Sequence, residues 1–569
     1  MQEDLKQVKK EKTINVLLTV FFFGLLILTG FYRIQEQNAP IVLMDEFGYW
    51  VSGAFFAGKD WTSISSSLSF YSYGYGLVLA ILIKLFSNTV FLYKSAIILN
   101  DVLLGLTFFL MKGIGKLLFK EKLSGIQITT LAFVTCLYPT FVSNVHVAWS
   151  ETMIMFMFSL CAFLLAEYVS KGNFFFLIGF AISVVYLYAV HQRSLGVLMA
   201  AVLTLLYLGI KDKKHIWKCA LSFFIIALLF LISNKIKKYV LINVFSQETN
   251  QNASLNDYSN VFQAAIIRFN IRGLYGFVMS FFGKCYYLLV SSLGAVLFFF
   301  VFLAKSIKEH KENKADENTN IIDKATVIFL ALSFVLVLCI AAFYTQDTLR
   351  VDGIVYGRYT ECFLAPFLMI GFGYYLSSDK QQRKRILGIL LIVLFILDII
   401  VELYIFNHEL DGFLDLCCMF FSRLFANHGI QFIGYSFKYI VLFVCVLFVS
   451  NSEKKRRLSG FIYILAIFIV FTLVGYVSVK RVFRSNYRDE LCAEIQQYVK
   501  NEDTIYFCGT EDGHFLWVVA DMQILNPNAD FVKIEQDEIK DTEGFILIEK
   551  DFNYESSLID HGLVKLIHH

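Results

Sequence analysis

In a window of about 19 residues the chain alternates between apolar runs long enough to cross a bilayer as helices and short connections rich in Lys and Arg. The runs fall near residues 14–34, 90–112, 124–142, 150–169, 173–190, 194–210, 216–234, 276–303, 325–344, 359–377, 386–406, 435–450 and 459–479. They predict about thirteen transmembrane helices. The basic clusters Lys9/Lys10/Lys12, 112–122, 211–214, 305–314, 380–385 and 454–457 then all fall on one face, which the positive-inside rule makes cytoplasmic. The N-terminus is expected inside and the tail, by parity, outside. The first run carries no small-residue cleavage site after it, so it is expected to stay as a span.

The stretch Phe70–Phe86 does not fit that count. It is Tyr-, Ser- and Gly-rich at its start and ends near Lys84, which suits an interfacial or re-entrant helix, and counting it as a span would put five basic clusters outside. It lies in a long first external loop, 35–88. Two more external segments are expected, 235–275 and 407–434, the second with a surface helix at 414–425. From 486 onward the pattern changes to short alternating runs: a helix near 488–500 and strands at 504–508, 531–534 and 544–548, the last central. The fold class expected is an all-α polytopic membrane protein of about thirteen helices, residues 1–485, with interfacial helices in its first external loop and a small extracytoplasmic α/β domain at 486–569.

Composition sharpens this. Of 569 residues 57% are hydrophobic and 17% charged, against about 25% charged in a soluble domain. The net charge of +3 hides an asymmetry: residues 486–569 hold 18 Asp and Glu against 6 Lys and Arg, leaving 29 against 44 for the body. The basic residues sit in topology-setting loops, which excludes nucleic acid as a partner. The 11 cysteines form no CxxC pair and mostly lie in apolar runs, which excludes a disulfide scaffold. Pairing of Cys492 with Cys508 in the tail stays open.

Chemistry gathers at the external ends of spans. Asp45 and Glu46 follow the first span, before Phe47-Gly48-Tyr49-Trp50, and such a pair can act as a base, hold a cation, or start a helix. Glu151, in Trp149-Ser150-Glu151-Thr152-Met153, opens the fourth span on the same side, where Ser150 or Trp149 would cap it. His191-Gln192-Arg193 joins spans five and six, and Gly357-Arg358-Tyr359-Thr360-Glu361 enters span ten. Arg193 and Arg358 suit a phosphate, since guanidinium bonds phosphate oxygens at two points, although Arg193 can also snorkel to the interface. His146 and His191 can ligate a metal, shuttle protons or be structural. Should a divalent cation be needed, Asp45, Glu151 and His146 are its candidate ligands. Asp398 and Glu402, on one face of span eleven, are either a polar helix contact or a sign of transport.

This pattern resembles the GT-C superfamily of membrane glycosyltransferases, in particular the protein O-mannosyltransferase and aminoarabinose transferase group. Asp45-Glu46 resembles the family's acidic motif after the first span. Glu151 falls where the family usually has aspartate, and Arg358-Tyr359 with Pro366 resembles its late-span Arg-Tyr and proline. The Lys-Pro that often opens the family's surface helix is replaced by Ser69-Phe70-Tyr71-Ser72-Tyr73-Gly74-Tyr75. The resemblance implies inverting transfer of a sugar from a polyprenyl-phosphate donor to a glycan, lipid or protein acceptor at the outer face of the cytoplasmic membrane. Asp45 would be the base, with Glu46 and Glu151 beside it. Arg358, Arg193, His191 and Tyr359 would receive the donor phosphate. Two other functions fit the same pattern: a transporter or flippase of lipid-linked or small anionic substrates, and a polysaccharide polymerase.

Overall fold

A computed structural model gives the architecture. It describes the chain except residues 1, 38, 42–43, 67, 87–88, 212, 251, 254–255, 259–265, 267–269, 313–316, 347–349, 409–417, 419, 421–440, 442, 446, 448–455, 485–487, 502, 511–513, 553–556 and 562. Among the described residues nine helices are long and apolar enough to cross a membrane, and ten with one bent pair. Nine of the thirteen expected spans fall on such helices and 124–142 falls on the bent pair. Span 173–190 is a helix of 17 residues and 359–377 contains one of 13, while 435–450 and the expected surface helix at 414–425 lie outside the described residues.

The first half runs α1 (Gln2–Phe31), α2 (Met44–Ala57), α3 (Thr62–Ser65), α4 (Tyr73–Leu85), α5 (Thr89–Phe119), α6 (Gly125–Cys136), α7 (Pro139–Val145), α8 (Glu151–Lys171), α9 (Phe174–Val190), α10 (Leu195–Lys211) and α11 (Ile216–Asn243). There follow α12 (Ile271–Ser291), α13 (Ala295–Glu312), α14 (Glu317–Tyr344), α15 (Val351–Ile354), α16 (Arg358–Glu361), α17 (Ala365–Ser377), α18 (Lys380–Asn407) and α19 (Arg456–Arg484). Helix α5 lies in the interior against α1, α6, α8 and α17. At the perimeter, α1, α11, α18 and α19 expose Leu17, Phe21, Phe224, Leu231, Ile392 and Phe461, a surface only a lipid phase accommodates.

Three breaks depart from the expected spans, each with a local cause. The 124–142 run bends by 62° between α6 and α7, where Pro139 cannot donate to the helix ladder. The 276–303 run splits into α12 and α13, because Leu293 (φ 51°) and Gly294 (φ 83°) adopt the left-handed region; α12 then packs on α14 and α18, and α13 on α17. The 359–377 run opens with the single turn α16, and a new helix starts at Ala365 with Pro366 in its first turn. Helix α11 also runs nine residues past the expected end of its span, to Asn243. In the first loop, α4 packs along α2; at 13 residues it spans about 20 Å, short of the roughly 30 Å hydrocarbon core.

The tail adds α20 (Asp489–Ile495), β1 (Thr504–Cys508), α21 (His514–Leu525), β2 (Asp530–Lys533), β3 (Phe545–Glu549), β4 (Ile559–Asp560) and β5 (Val564–His568). The sheet order is β2-β1-β3-β5-β4, with β1 parallel to β2 and β3, and β5 antiparallel to β3 and β4. The three expected strands are present and 544–548 is the central one; α21, β4 and β5 had no clear signal. Successive residues of β3 serve opposite faces. Ile546 and Ile548 join a small cluster with Cys508, Ile534, Ile539 and Ile567, while Leu547 faces the main core. On that side α21 packs against α2, α3 and α5. Arg488, buried, donates to Asp521 Oδ2 (2.6 Å) and to the Pro40 carbonyl (3.4 Å), fastening the tail to the first loop. Cys492 and Cys508 are both free thiols.

Candidate active site

The site is assembled where helix ends meet on the face that the tail covers. Asp45 and Glu46 stand in the first turn of α2, where acidic side chains favour the helix dipole, yet their two carboxylates point to different tasks. Glu46 is fully buried: its Oε2 accepts from the Ile41 N–H (2.7 Å), and its Oε1 accepts from the Ala148 N–H and the Tyr93 hydroxyl (2.8 Å each). It ties the chain before α2 to the turn before α8 and to α5. Asp45 instead faces a cavity. Its Oδ2 meets Arg358 Nη1 at 2.5 Å, and its Oδ1 accepts from the Tyr71 hydroxyl at 2.7 Å. Gly48 permits this, since a Cβ there would lie 2.0 Å from the Tyr71 ring. Burial, and then the Asp45 charge, push the Tyr71 phenol well above its ordinary range, so it stays a donor.

Arg358 opens α16 and is the hub. Its Nε donates to Glu151 Oε1 (3.0 Å), and its guanidinium lies 4.2 Å over the Trp149 ring. The same Glu151 oxygen accepts from Arg193 Nη2 at 3.1 Å. Two arginines and two carboxylates thus form one chain: Asp45, Arg358, Glu151, Arg193. Exposure separates their roles. The side chains of Glu151 and Arg193 are 1% and 2% exposed, those of Arg358 and Asp45 16% and 25%. Asp45 and Arg358 can therefore touch a substrate, and Glu151 holds both arginines from beneath. Arg193 Nε and Nη1 find no partner among the described residues, an incomplete shell of the kind functional sites carry. Ser150 occupies the N-cap of α8 without capping it; its hydroxyl pairs with Tyr49 (2.7 Å).

His191 Nδ1 accepts from the Arg193 N–H (3.2 Å), which leaves its Nε2 carrying the proton. Burial, then Arg193 and Arg358, depress its pKa well below the usual histidine value, so it is neutral at physiological pH. Asp45, Arg358 and His191 line a cavity of about 190 Å³ with six tyrosines, Tyr49, Tyr71, Tyr258, Tyr344, Tyr356 and Tyr359. Tyr359 also lies 5.4 Å from the Arg193 guanidinium. Tyr258 and Asn256, from the segment after α11, and Tyr344, at the end of α14, carried no sequence signal. Tyr356 and Tyr359 flank Arg358, which is the clue that could have drawn attention to the wall.

Metal ligation does not fit the residues as placed. Among the described residues no three His, Cys, Asp or Glu side chains converge. Asp45 and Glu151 are separated by Arg358, and His146 is buried against Phe483, outside the cavity. Asp398 accepts from the Tyr286 hydroxyl of α12 at 2.7 Å, the polar helix contact among its possible readings.

Two buried groups support Arg358 without reaching the cavity. Glu361, at the far end of α16, takes three hydroxyls on Oε1: Tyr138 (2.6 Å), Thr140 (2.8 Å) and Tyr287 (2.8 Å). The bend between α6 and α7 is what brings Tyr138 and Thr140 to it. Lys284, buried in α12, donates to Ser280, Thr345 and the Gly353 carbonyl, and so fixes the approach to α16.

No protein-family model matches the sequence, and no curated protein does. The fold does have solved counterparts. ArnT from Cupriavidus metallidurans bound to undecaprenyl phosphate aligns with a TM-score of 0.53 at 10% identity, over 96% of this chain and 97% of that one. Its apo form aligns at 0.51 and 11% over the same shares. The archaeal oligosaccharyltransferase AglB from Archaeoglobus fulgidus, in complex with an inhibitory peptide and a dolichol-phosphate, aligns at 0.44 and 11%, over 95% of this chain and 70% of that one. The chain thus shares its fold with ArnT over nearly its whole length.

Proposed function

We propose that the chain is a membrane glycosyltransferase that moves a sugar from a polyprenyl-phosphate donor to an acceptor hydroxyl at the outer face of the cytoplasmic membrane, with inversion. The observation that carries the reading is the Asp45–Arg358 pair in the cavity, on a fold shared with a protein bound to undecaprenyl phosphate. The donor phosphate competes with Asp45 for Arg358. Once it takes the guanidinium, Asp45 is released toward the acceptor. The acceptor oxygen attacks the anomeric carbon from the side opposite the phosphate and gives its proton to Asp45. The bond from that carbon to the phosphate oxygen breaks, and its electron pair stays on the leaving polyprenyl phosphate, held by Arg358. A single displacement inverts the centre. Glu151 keeps Arg358 in place and balances its charge, and Arg193 anchors Glu151 from the other side; Tyr359 and His191 complete the wall.

Incubating purified protein with radiolabelled polyprenyl-phosphate sugars tests the reading: at least one donor should be consumed, and release of label from none would reject it. The sidedness is tested separately. Single cysteines introduced into the tail should react with an impermeant thiol reagent on intact cells; labelling only after lysis would reverse the orientation.

A further inference from the structure

The cavity names the sugar, an inference that rests on the glycosyl-transfer reading. We infer that the transferred unit is a single sugar ring bearing hydroxyl or other neutral oxygen substituents and no ionised group, seated on the tyrosine wall and bonded by Gln192, Asn256, Ser72 and His191.

Size comes first. At about 190 Å³ the cavity is smaller than the roughly 300–1,000 Å³ of drug-sized sites, a size that suits one sugar ring. The wall is built of aromatic rings. Tyr258 and Tyr344 stack with centroids 5.6 Å apart and planes within 11°, Tyr359 meets Tyr344 edge-on at 5.4 Å, and Tyr356 lies 4.6 Å from Tyr359. Aromatic surface of this kind packs against the C–H face of a sugar while its hydroxyls turn to polar partners.

Each of the polar partners has a donor left over. Gln192 Oε1 accepts from Lys237 Nζ (3.1 Å) and from the Tyr258 N–H (3.3 Å), which fixes the amide orientation and leaves its NH₂. Asn256 Oδ1 faces the Tyr344 hydroxyl (3.4 Å), again leaving NH₂. Ser72 Oγ accepts from the Gln192 N–H (3.2 Å), so its own O–H is available to donate. His191 has only Nε2–H left, its Nδ1 being taken by Arg193. These four donors match hydroxyl or carbonyl oxygens.

The charges agree. Among the described residues Asp45 is the one carboxylate on the cavity and Arg358 the one cation. An amino sugar would have to pair with Asp45, which would occupy the base. A uronate would need Arg358, which the phosphate holds. Burying either charge without a partner is costly.

The test compares three synthetic donors on the same short polyprenyl phosphate, carrying a neutral hexose, an amino sugar with a free amine, and a uronic acid. Each competes against labelled polyprenyl phosphate for the purified protein, and release of the lipid phosphate is followed in parallel. The neutral donor should bind and react better than both others by about tenfold or more. Tyr344→Ala should weaken the neutral donor roughly three- to tenfold while leaving bare polyprenyl phosphate unaffected. Asn256→Ala replaces Tyr344→Ala, with the same split expected, should that variant not fold. Preference for either charged donor overturns the inference and leaves the transferase reading standing. Binding of bare polyprenyl phosphate with no gain from any sugar overturns it too. Failure to bind any of the lipids brings down the reading, and the inference with it.

Discussion

Asp45→Asn should abolish sugar transfer, by roughly 10²- to 10⁴-fold in rate, in protein that still reaches the membrane folded. The asparagine keeps the shape and can still accept from Tyr71, and a quarter of the native side chain is exposed, so little packing is lost. Arg358 loses a competitor, and the affinity for polyprenyl phosphate should hold or rise. The neighbouring Glu46→Gln makes the contrast. Its carboxylate meets three donors on two oxygens, and an amide must turn its NH₂ on at least one of them. Hydrogen bonds to a buried charged group contribute about 1.5–3 kcal/mol, so the yield of folded protein should fall. The fraction that folds should keep its turnover. Transfer at wild-type rate by Asp45→Asn would make that carboxylate a helix-starting residue and leave the reaction without its base. Loss of turnover in well-folded Glu46→Gln would return Glu46 to the chemistry.

The sequence revealed the apolar runs, the order of the motifs and the central strand of the tail, because each rests on a local period or on charges close in the chain. The proximity of Asp45, Glu151, Arg193 and Arg358 was legible only as shared sidedness. Sharing a membrane face says nothing of contact, and the contacts join residues as far apart as 45 and 358. The division of labour was not legible at all. Asp45 and Glu46 are adjacent and chemically alike, but successive positions on a helix are about 100° apart, which sends one carboxylate to the cavity and the other into the core. Glu151 was legible only as the residue that opens the fourth span. Its single oxygen serves two arginines in a nearly dry setting, so its loss leaves the buried Arg193 without its carboxylate and Arg358 with Asp45 alone. The donor wall was hidden for a similar reason: Asn256, Gln192 and Ser72 are ordinary residues until their occupied acceptors are known.

Arg358→Lys should be nearly as damaging as Arg358→Ala, with turnover lower by roughly 10²- to 10³-fold in both, the cost of removing one preorganised donor to a developing anion. The reason is geometric. Arg358 spends Nε on Glu151 and Nη1 on Asp45 while its plane lies over Trp149. An ammonium on a lysine stem has no plane to lay on the indole and cannot hold Glu151 while it turns a second point toward phosphate. Affinity for polyprenyl phosphate should fall together with turnover, because the same guanidinium binds the phosphate in the ground state and stabilises it as it leaves. Glu361→Gln provides the control for mere displacement of α16. It loosens the turn that carries Arg358 without touching the guanidinium, so thermal stability should fall more than phosphate affinity. Full turnover in Arg358→Lys would show that the site needs only a positive charge, and would move the two-point contact with the donor phosphate to another residue.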